Sequence, residues 1–299
     1  MASISAKMIS LRNVFNLLRI EHWIKNLFLF IPIFFAGEFL NADKLGQVAI
    51  AFFSFCCTAS AIYILNDLMD VKSDRLHPEK SKRPIPSGLV SVSTVWVIFT
   101  ILILVGVLVS FQFTHQSFII LLGSYFLLNV GYSLGLKRVP ILEILIVSSG
   151  FVLRAVGGGL VADVEVSQWM LMMIFLLALF LALAKRRDDL LLFGKSSKSV
   201  RVASEHYNLE YINSLLIMVS GIIIVAYLMY VISPEVINRF HSKYLYITSI
   251  FVIAGMMRYL QITLVENKSG SPTKILYRDN FIRIVVMLWV ITFYFIIYL

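Results

Sequence analysis

The sequence predicts an all-α membrane protein, a bundle of about nine transmembrane helices. Of its 299 residues, 59% are hydrophobic and 14% are charged, and the mean hydropathy is +0.87. A soluble domain carries about a quarter of charged residues. Apolar runs of about 20 residues, the length that crosses a bilayer as a helix, recur along the chain. Because such spans pack as one body, we expect a single integral-membrane domain over residues 1–299.

The predicted spans are apolar runs that polar or turn-forming residues separate. Trp23 stands before the first run, where an aromatic side chain suits the membrane interface. Pro84 and Gly88 lie in the polar loop after the second run and stop a helix there. The predicted bounds are 24–40, 47–66, 91–113, 116–135, 140–161, 168–184, 212–232, 243–262 and 282–299.

The residues before the first span predict an amphipathic helix that approaches the membrane. Residues 1–22 are polar and basic, with Arg12 and Arg19. They lack the short apolar region and cleavage site of a removable signal peptide, so we expect none. Cys56 and Cys57 are adjacent inside an apolar run, and they therefore predict neither a disulfide framework nor a metal site.

The distribution of positive charge predicts the topology. All but four of the 26 lysines and arginines fall in the N-terminal segment or in the loops after the second, fourth, sixth and eighth spans, when Lys25, Arg258 and Arg283 at the adjoining span ends are included. Under the positive-inside rule these segments are cytoplasmic. We therefore expect a multi-pass protein of the plasma membrane whose N-terminus and chemical residues face the cytoplasm. The formal charge of +9 could indicate nucleic acid, but its place in loops beside spans favours topology, and we expect no nucleic-acid partner.

An acidic segment at the end of the second span is the main candidate site. Asp67, Asp70 and Asp74 are three and four residues apart, so they share one face of a helix, and Lys80 and Arg83 follow. Hard cations bind carboxylate oxygens together with substrate phosphates, and cationic side chains neutralise the remaining phosphate charge. The pattern favours a diphosphate held through Mg²⁺ over the alternative, a solvated helix end. The predicted metal ligands are Asn66, Asp67, Asp70 and Asp74.

Charged residues inside predicted spans extend this candidate site. Lys25 and Asn26 lie one turn inside the first span, where a snorkelling lysine and a pocket cation fit equally well. Arg154 lies in the fifth span, where an ionised guanidinium costs several kcal/mol unless it is paired or wet. Arg154 is therefore either a pocket residue or part of a buried ion pair. Glu143 is not its obvious partner, because it lies about 16 Å away along the same helix.

The sequence favours a reaction between a water-soluble anion and a lipid. Lys80, Arg83, Lys137, Lys185 and Arg186 could bind further phosphate groups, and such cations act on the charge that develops as a diphosphate departs. Mg²⁺ would serve as Lewis acid and template. No Ser-His-Asp order, wet-face cysteine nucleophile or Gly-rich phosphate loop is present in the sequence. A direct displacement needs none of these when the attacking group is already an anion.

These motifs resemble those of the UbiA superfamily of intramembrane prenyltransferases. Asn66-Asp67-x-x-Asp70-x-x-x-Asp74 followed by Arg83-Pro84 is similar to its first aspartate-rich motif, and the segment from Tyr132 to Lys137 to its tyrosine-lysine motif. The finer resemblance is to the decaprenyl-phosphate phosphoribosyltransferase branch, and it covers nearly the whole chain. It lies at Trp23-x-Lys25-Asn26, His77-Pro78-x-Lys80-x-x-Arg83-Pro84-Ile85, Tyr132-Ser133-x-Gly135-Leu136-Lys137, Ser149-Gly150-Phe151-x-x-Arg154-Ala155, Ser167-Gln168-Trp169, Lys185-Arg186 and Arg278-Asp279.

The resemblance implies a UbiA-like bundle with a polar cavity open to the cytoplasm. It also implies Mg²⁺-dependent transfer of 5-phosphoribosyl from phosphoribosyl diphosphate to a polyprenyl phosphate, as in lipid-linked arabinose-type or ribose-type glycan pathways. Where prenyltransferases carry a second aspartate motif, this chain has Lys185 to Asp189, and Asp189 stands where the branch often has glutamate. The implied catalytic residues are Asp67, Asp70, Asp74, Lys185 and Asp189. The implied substrate-binding residues are Lys25, Asn26, Lys80, Arg83, Tyr132, Lys137, Arg154 and Arg186.

Two other functions fit parts of the sequence. A prenyltransferase that alkylates an aromatic or glycerol-type acceptor would use the same metal site but would consume a prenyl diphosphate. A transporter would carry charges near the middle of the membrane and on both faces, whereas the charges here cluster on one predicted face. The sequence is compatible with a homo-oligomer and does not determine the oligomeric state or the acceptor chain length.

Overall fold

Long α-helices hold most of the residues that the computed structural model describes, which are 11–76, 80–193, 207–267, 275 and 278–298, and no strand occurs among them. The α-helices are α1 (Leu11–Leu18), α2 (Ile31–Phe35), α3 (Ala42–Met69), α4 (Val71–Asp74), α5 (Val92–Phe113), α6 (Gln116–Leu134), α7 (Leu142–Ala162), α8 (Gln168–Phe193), α9 (Leu209–Ile232), α10 (Pro234–Phe240), α11 (Ser249–Leu260) and α12 (Asn280–Tyr298). Shorter 3₁₀ and π segments connect some of them.

The predicted all-α membrane fold is confirmed. Eight helical stretches in the described ranges are long and apolar enough to cross a membrane. They are Ala42–Met69, Val92–Phe113, Gln116–Leu134, Leu142–Ala162, Gln168–Leu191, Leu209–Ile232, Tyr244–Val265 and Asn280–Tyr298. The predicted number of nine is not confirmed, because the first predicted span differs from the others.

The first predicted span, 24–40, is a 3₁₀-helix over Ile20–Phe30 that continues into α2, and Gly37, with φ of 77°, lies in the turn that follows. Eleven 3₁₀ residues rise about 22 Å, and five α-helical residues add about 7 Å. Because a 3₁₀-helix rises more per residue than an α-helix, the length of this short segment comes close to the thickness of a hydrocarbon core, about 30 Å.

Side-chain caps explain where two of the spans begin. The Asn41 side chain accepts hydrogen bonds from the backbone N–H groups of Asp43 and Lys44 at 3.2 and 3.3 Å, which satisfies donors that the first helical turn leaves open. Helix α3 consequently starts at residue 42, earlier than the predicted 47. Ser91 accepts a bond from Thr94 N–H at 3.2 Å in the same way at the start of α5.

The chain divides into two compact units, each with its own core. The first comprises Met1–Ile33, Phe39–Leu136 and Leu153–Val164, and the second comprises Phe34–Glu38, Lys137–Val152 and Glu165–Leu299. A single domain over 1–299 stays a prediction.

In the first unit, α3 packs against α5, α6 and the 3₁₀ segment. Phe55 of α3 is fully buried, and its ring centroid lies 5.9 Å from that of Phe118 and 5.0 Å from that of Tyr125. Small residues bring the helices together: a Cβ on Gly106 of α5 would lie 3.1 Å from the Thr58 hydroxyl of α3. This packing fixes the end of α3, where the acidic segment lies.

Gly158 of α7 permits a close backbone approach between α7 and the 3₁₀ segment. A Cβ at this position would overlap the carbonyl group of Leu29, and backbone cannot move aside as a flexible side chain can. We expect Gly158→Ala to lower the free energy of unfolding by about 1–3 kcal/mol, the usual range for overpacking. The midpoint of thermal unfolding in detergent measures this. Gly123→Ala is the control, since nothing lies within 4 Å of its added Cβ, and equal midpoints for the two variants would contradict the close approach.

In the second unit, α8 packs against α9, α9 against α11, and α11 against α12. The Phe180 and Tyr259 rings meet edge to face at 5.1 Å between centroids. A buried polar relay joins three elements: the Trp289 indole N–H donates to the Tyr227 hydroxyl at 2.8 Å, and that hydroxyl lies 2.7 Å from the Thr248 hydroxyl. These contacts hold the helices whose ends carry the charged residues of this unit.

Candidate functional site

The acidic segment lies where α3 ends and α4 begins. Helix α3 stops at Met69, and Asp70, with φ of −96° and ψ of 4°, is the hinge to the short α4. Asp67 and Asp74 are each only 3% exposed, whereas Asp70 is half-buried. Buried carboxylates do not fit the alternative of a solvated helix end.

Two predicted cations contact these carboxylates directly. The Arg83 Nη1 atom lies 3.1 Å from Asp67 Oδ1 and 2.7 Å from Asp74 Oδ2, so one guanidinium nitrogen joins two carboxylates. Lys80 Nζ lies 3.8 Å from Asp74 Oδ1. Arg83 therefore brings Asp67 and Asp74 together, although α3 and α4 are separated by the bend at Asp70.

Arg19 belongs to the same cluster, and sequence reasoning missed it. Its guanidinium donates to Asp67 Oδ1 and lies 4.9 Å from the centroid of the Tyr63 ring. Arg19 adopts a left-handed conformation, φ 51° and ψ 49°, between α1 and the 3₁₀ segment. This turn directs the Arg19 side chain to Asp67, whereas the sequence predicted Arg19 only as part of an amphipathic helix. No spacing rule connects it to a carboxylate 48 residues away.

Asn66 connects the acidic segment to the tyrosine-lysine motif. Its Nδ2 donates to Asp70 Oδ2 at 3.2 Å, and its Oδ1 accepts from the Ser133 hydroxyl at 3.4 Å. Ser133 rather than its neighbour Tyr132 makes this contact. Tyr132 is half-exposed in the first unit, and Lys137 is half-exposed in the second.

The donor set suits a metal that substrate oxygens help to bind. No three His, Cys, Asp or Glu side chains converge on one point among the described residues, so the four predicted ligands are not a preassembled metal cage. Mg²⁺ is usually held by one or two carboxylates plus substrate phosphates and water. Asp67 and Asp74 fit that requirement, because an oxygen of each carboxylate accepts a hydrogen bond from the same nitrogen of Arg83.

A second polar centre of the first unit surrounds Arg154. The Arg154 Nε donates to Asn26 Oδ1 at 2.7 Å and its Nη2 to the Tyr125 hydroxyl at 2.8 Å. The guanidinium also lies 4.8 Å from the centroid of the Tyr125 ring and 5.7 Å from that of Phe55. Neutral acceptors and aromatic faces thus hold this 5%-exposed cation. Glu143 is not its partner, as expected.

Lys25 precedes Asn26 in the 3₁₀ segment and is half-buried. Its ammonium makes no hydrogen bond or ion pair with any residue in the described ranges. A snorkelling lysine and a pocket cation both remain consistent with this placement. Lys25 is nevertheless a cation whose charge an incoming anion can use.

In the second unit, Arg186 is held between two carboxylates. Its Nε lies 2.5 Å from Glu143 Oε1, and its Nη1 lies 2.6 Å from Asp189 Oδ2. Glu143 is fully buried and Arg186 is 5% exposed. The next residue, Arg187, donates to Asn213 and Asn267 at 2.7 and 2.8 Å. Lys185 is exposed beside them.

Comparisons with known proteins connect this geometry to one family. The model of the UbiA prenyltransferase family matches residues 27–297. The decaprenyl-phosphate phosphoribosyltransferase of Corynebacterium glutamicum is 31% identical over 276 residues, 91% of this chain and 83% of that protein. The protein of the same name from Mycolicibacterium smegmatis is 31% identical over 282 residues, 91% of this chain and 88% of that protein.

A solved structure has the same fold. The UbiA homolog from Archaeoglobus fulgidus bound to DMAPP and Mg²⁺ superposes with a TM-score of 0.70 at 19% identity, covering 95% of this chain and 99% of that one. The expected UbiA-like helical architecture is thereby confirmed.

Proposed function

We propose that this chain, which belongs to the UbiA prenyltransferase family, transfers 5-phosphoribosyl from phosphoribosyl diphosphate to a polyprenyl phosphate and releases diphosphate. The observation that carries the proposal is the similarity, over nine-tenths of the chain, to two proteins named decaprenyl-phosphate phosphoribosyltransferase. The buried group of carboxylates and cations at the end of α3 supports it, because diphosphate binding through Mg²⁺ needs both charge types.

The acidic segment is the proposed diphosphate site. Asn66, Asp67, Asp70 and Asp74 would hold Mg²⁺ there, and the bound ion would supply Lewis acidity toward the departing diphosphate. Arg83 and Lys80 neutralise Asp67 and Asp74 in the structure. When the substrate binds, these cations would release the carboxylates and contact phosphate oxygens instead. Arg19 would remain on Asp67 and keep its carboxylate oriented.

The reaction is a displacement at the anomeric carbon of ribose. An oxygen of the lipid phosphate forms a new bond to that carbon, and the bond from the carbon to the diphosphate oxygen breaks. The acceptor oxygen is already anionic near neutral pH, so no general base is required. Lys80 and Arg83 would stabilise the charge that develops on the diphosphate.

The proposed acceptor end uses the cations of the 3₁₀ segment and α7. Lys25, which lacks a hydrogen-bond or ion-pair partner in the described part of the chain, would bind a phosphate oxygen. Arg154 would act through Asn26, which it holds at 2.7 Å. Tyr132, Lys137 and Lys185 are proposed to bind the remaining substrate oxygens.

Arg186 and Asp189 are proposed to position other residues. The guanidinium of Arg186 contacts two protein carboxylates, those of Glu143 and Asp189, which supports a role in orienting the end of α8. We further propose that the N-terminus and all these residues face the cytoplasm, in the plasma membrane, as the positive-inside rule predicts.

A lipid-labelling assay tests the function. The purified full chain in detergent is incubated with radiolabelled phosphoribosyl diphosphate, decaprenyl phosphate and Mg²⁺, and the organic phase is counted. We expect label in the lipid and its loss when EDTA removes the metal. A parallel incubation supplies a labelled prenyl diphosphate with an aromatic or glycerol-type acceptor. Product only in this second incubation would favour the alkylating prenyltransferase and contradict the proposal.

A further inference from the structure

An open cavity of about 920 Å³ lies in the second unit, where α11 ends and α12 begins. Both helices belong to stretches long and apolar enough to span a membrane, and the cavity lies near the ends of these stretches, where a membrane interface is expected. Its lining combines polar and apolar residues, which are Arg258, Gln261, Arg278, Asp279 and Asn280, and Ala254, Met257 and Phe281. None of these residues has a part in the proposed transfer reaction.

Arg258 connects the polar residues of the lining. Its Nη2 lies 2.7 Å from Asp279 Oδ2, and its Nη1 lies 2.8 Å from both Gln261 Oε1 and Glu266 Oε1. The hydrogen bond from Arg258 keeps the pKa of the Asp279 carboxyl below its usual range. Asp279 also accepts from Ile282 N–H at 2.9 Å and so caps α12. The positive charge of Arg258 is therefore neutralised by carboxylates of the protein itself.

Arg278 is the lining cation whose charge is not neutralised. It is exposed, and it makes no hydrogen bond or ion pair with any residue that the structure describes. It stands beside the capped N-terminus of α12, whose dipole favours a nearby negative group. Arg258 is already paired with two carboxylates, Glu266 and Asp279, so among the described lining residues Arg278 is the guanidinium that is available to a single anionic group.

The apolar lining residues suit an apolar attachment on that anion. Met257 is 65% exposed and Phe281 is 50% exposed, so both offer apolar surface beside the charged residues of the cavity. Basic pockets between membrane helices bind lipid head groups through the same combination. We propose that this cavity binds the phosphate head group of an anionic glycerophospholipid, with Arg278 as the phosphate ligand and Met257 and Phe281 against the adjoining chain.

A titration with defined lipids tests the proposal. The purified full chain in detergent is titrated with phosphatidylglycerol, with phosphatidylcholine and with inorganic phosphate, and the thermal unfolding midpoint is recorded. We expect a saturable rise with phosphatidylglycerol alone. Arg278→Gln should weaken its apparent affinity about tenfold. Arg239→Gln is the matched control, because Arg239 lies on α10 of the same unit, is exposed and does not line the cavity.

Each other outcome overturns part or all of the proposal. Equal shifts with phosphatidylcholine and phosphatidylglycerol would show that the head-group charge is not recognised. Equal losses in the two arginine variants would show non-specific attraction to a basic surface. An Arg278-dependent shift with inorganic phosphate as large as that with phosphatidylglycerol would show that the cavity recognises phosphate without the lipid chain. That result would contradict a glycerophospholipid ligand.

Discussion

Asp67→Asn is expected to lower the rate of phosphoribosyl transfer about a thousandfold, a loss of about 4 kcal/mol of transition-state stabilisation. Asp67 is 3% exposed and is contacted by both Arg19 and Arg83. Asparagine keeps the size of the side chain but removes the negative charge that would bind Mg²⁺ and orient both guanidinium groups. The lipid-labelling assay at saturating substrate measures the loss.

The matched control is Asp43→Asn at the opposite end of the same helix. Asp43 is exposed in the first turn of α3, so the chemical change is identical while the candidate site is untouched. We expect wild-type transfer in this variant. The unfolding midpoints of both variants must be recorded, because a folded but inactive Asp67→Asn protein supports the assignment. Wild-type turnover in Asp67→Asn would contradict it.

The part of the site that sequence reasoning predicted is the part that local geometry determines. Helical periodicity places Asp67, Asp70 and Asp74 on one side of the chain, and Lys80 and Arg83 follow within a short loop. These five residues lie within one segment, so their mutual contacts depend little on the remaining fold. Even the bend at Asp70 leaves Asp67 and Asp74 on the same Arg83 nitrogen.

The contacts that sequence reasoning could not predict depend on tertiary structure. Arg19 reaches Asp67 because of a left-handed residue at a helix junction, a conformation that non-glycine residues seldom adopt. The 3₁₀ geometry of the first predicted span is likewise invisible in its hydropathy. Arg154 and Glu143 lie on the same helix, α7, but do not pair. The actual partners of Arg154 lie on the 3₁₀ segment and α6, and Glu143 pairs with α8.

Glu143→Leu is expected to have the largest effect on stability. Glu143 is fully buried, and its Oε1 lies 2.5 Å from Arg186 Nε. Removing one partner of a buried ion pair typically costs about 3–5 kcal/mol, and because Arg186 keeps its contact with Asp189 in this variant, we expect the lower part of that range. We expect a large drop in the unfolding midpoint and poor recovery of monodisperse protein. An unchanged midpoint would contradict a buried ion pair at this position.

The double variant Glu143→Leu with Arg186→Met separates structure from function at this pair. Replacing both buried charges by apolar side chains is often neutral, so we expect the double variant to regain most of the stability that the single variant loses. Arg186 also contacts Asp189 at 2.6 Å, and the double variant removes that contact. If the pair positions the end of α8, the stable double variant should show a raised KM for phosphoribosyl diphosphate and a smaller change in kcat. Restored stability together with wild-type KM would mean that Arg186 and Glu143 serve the fold alone.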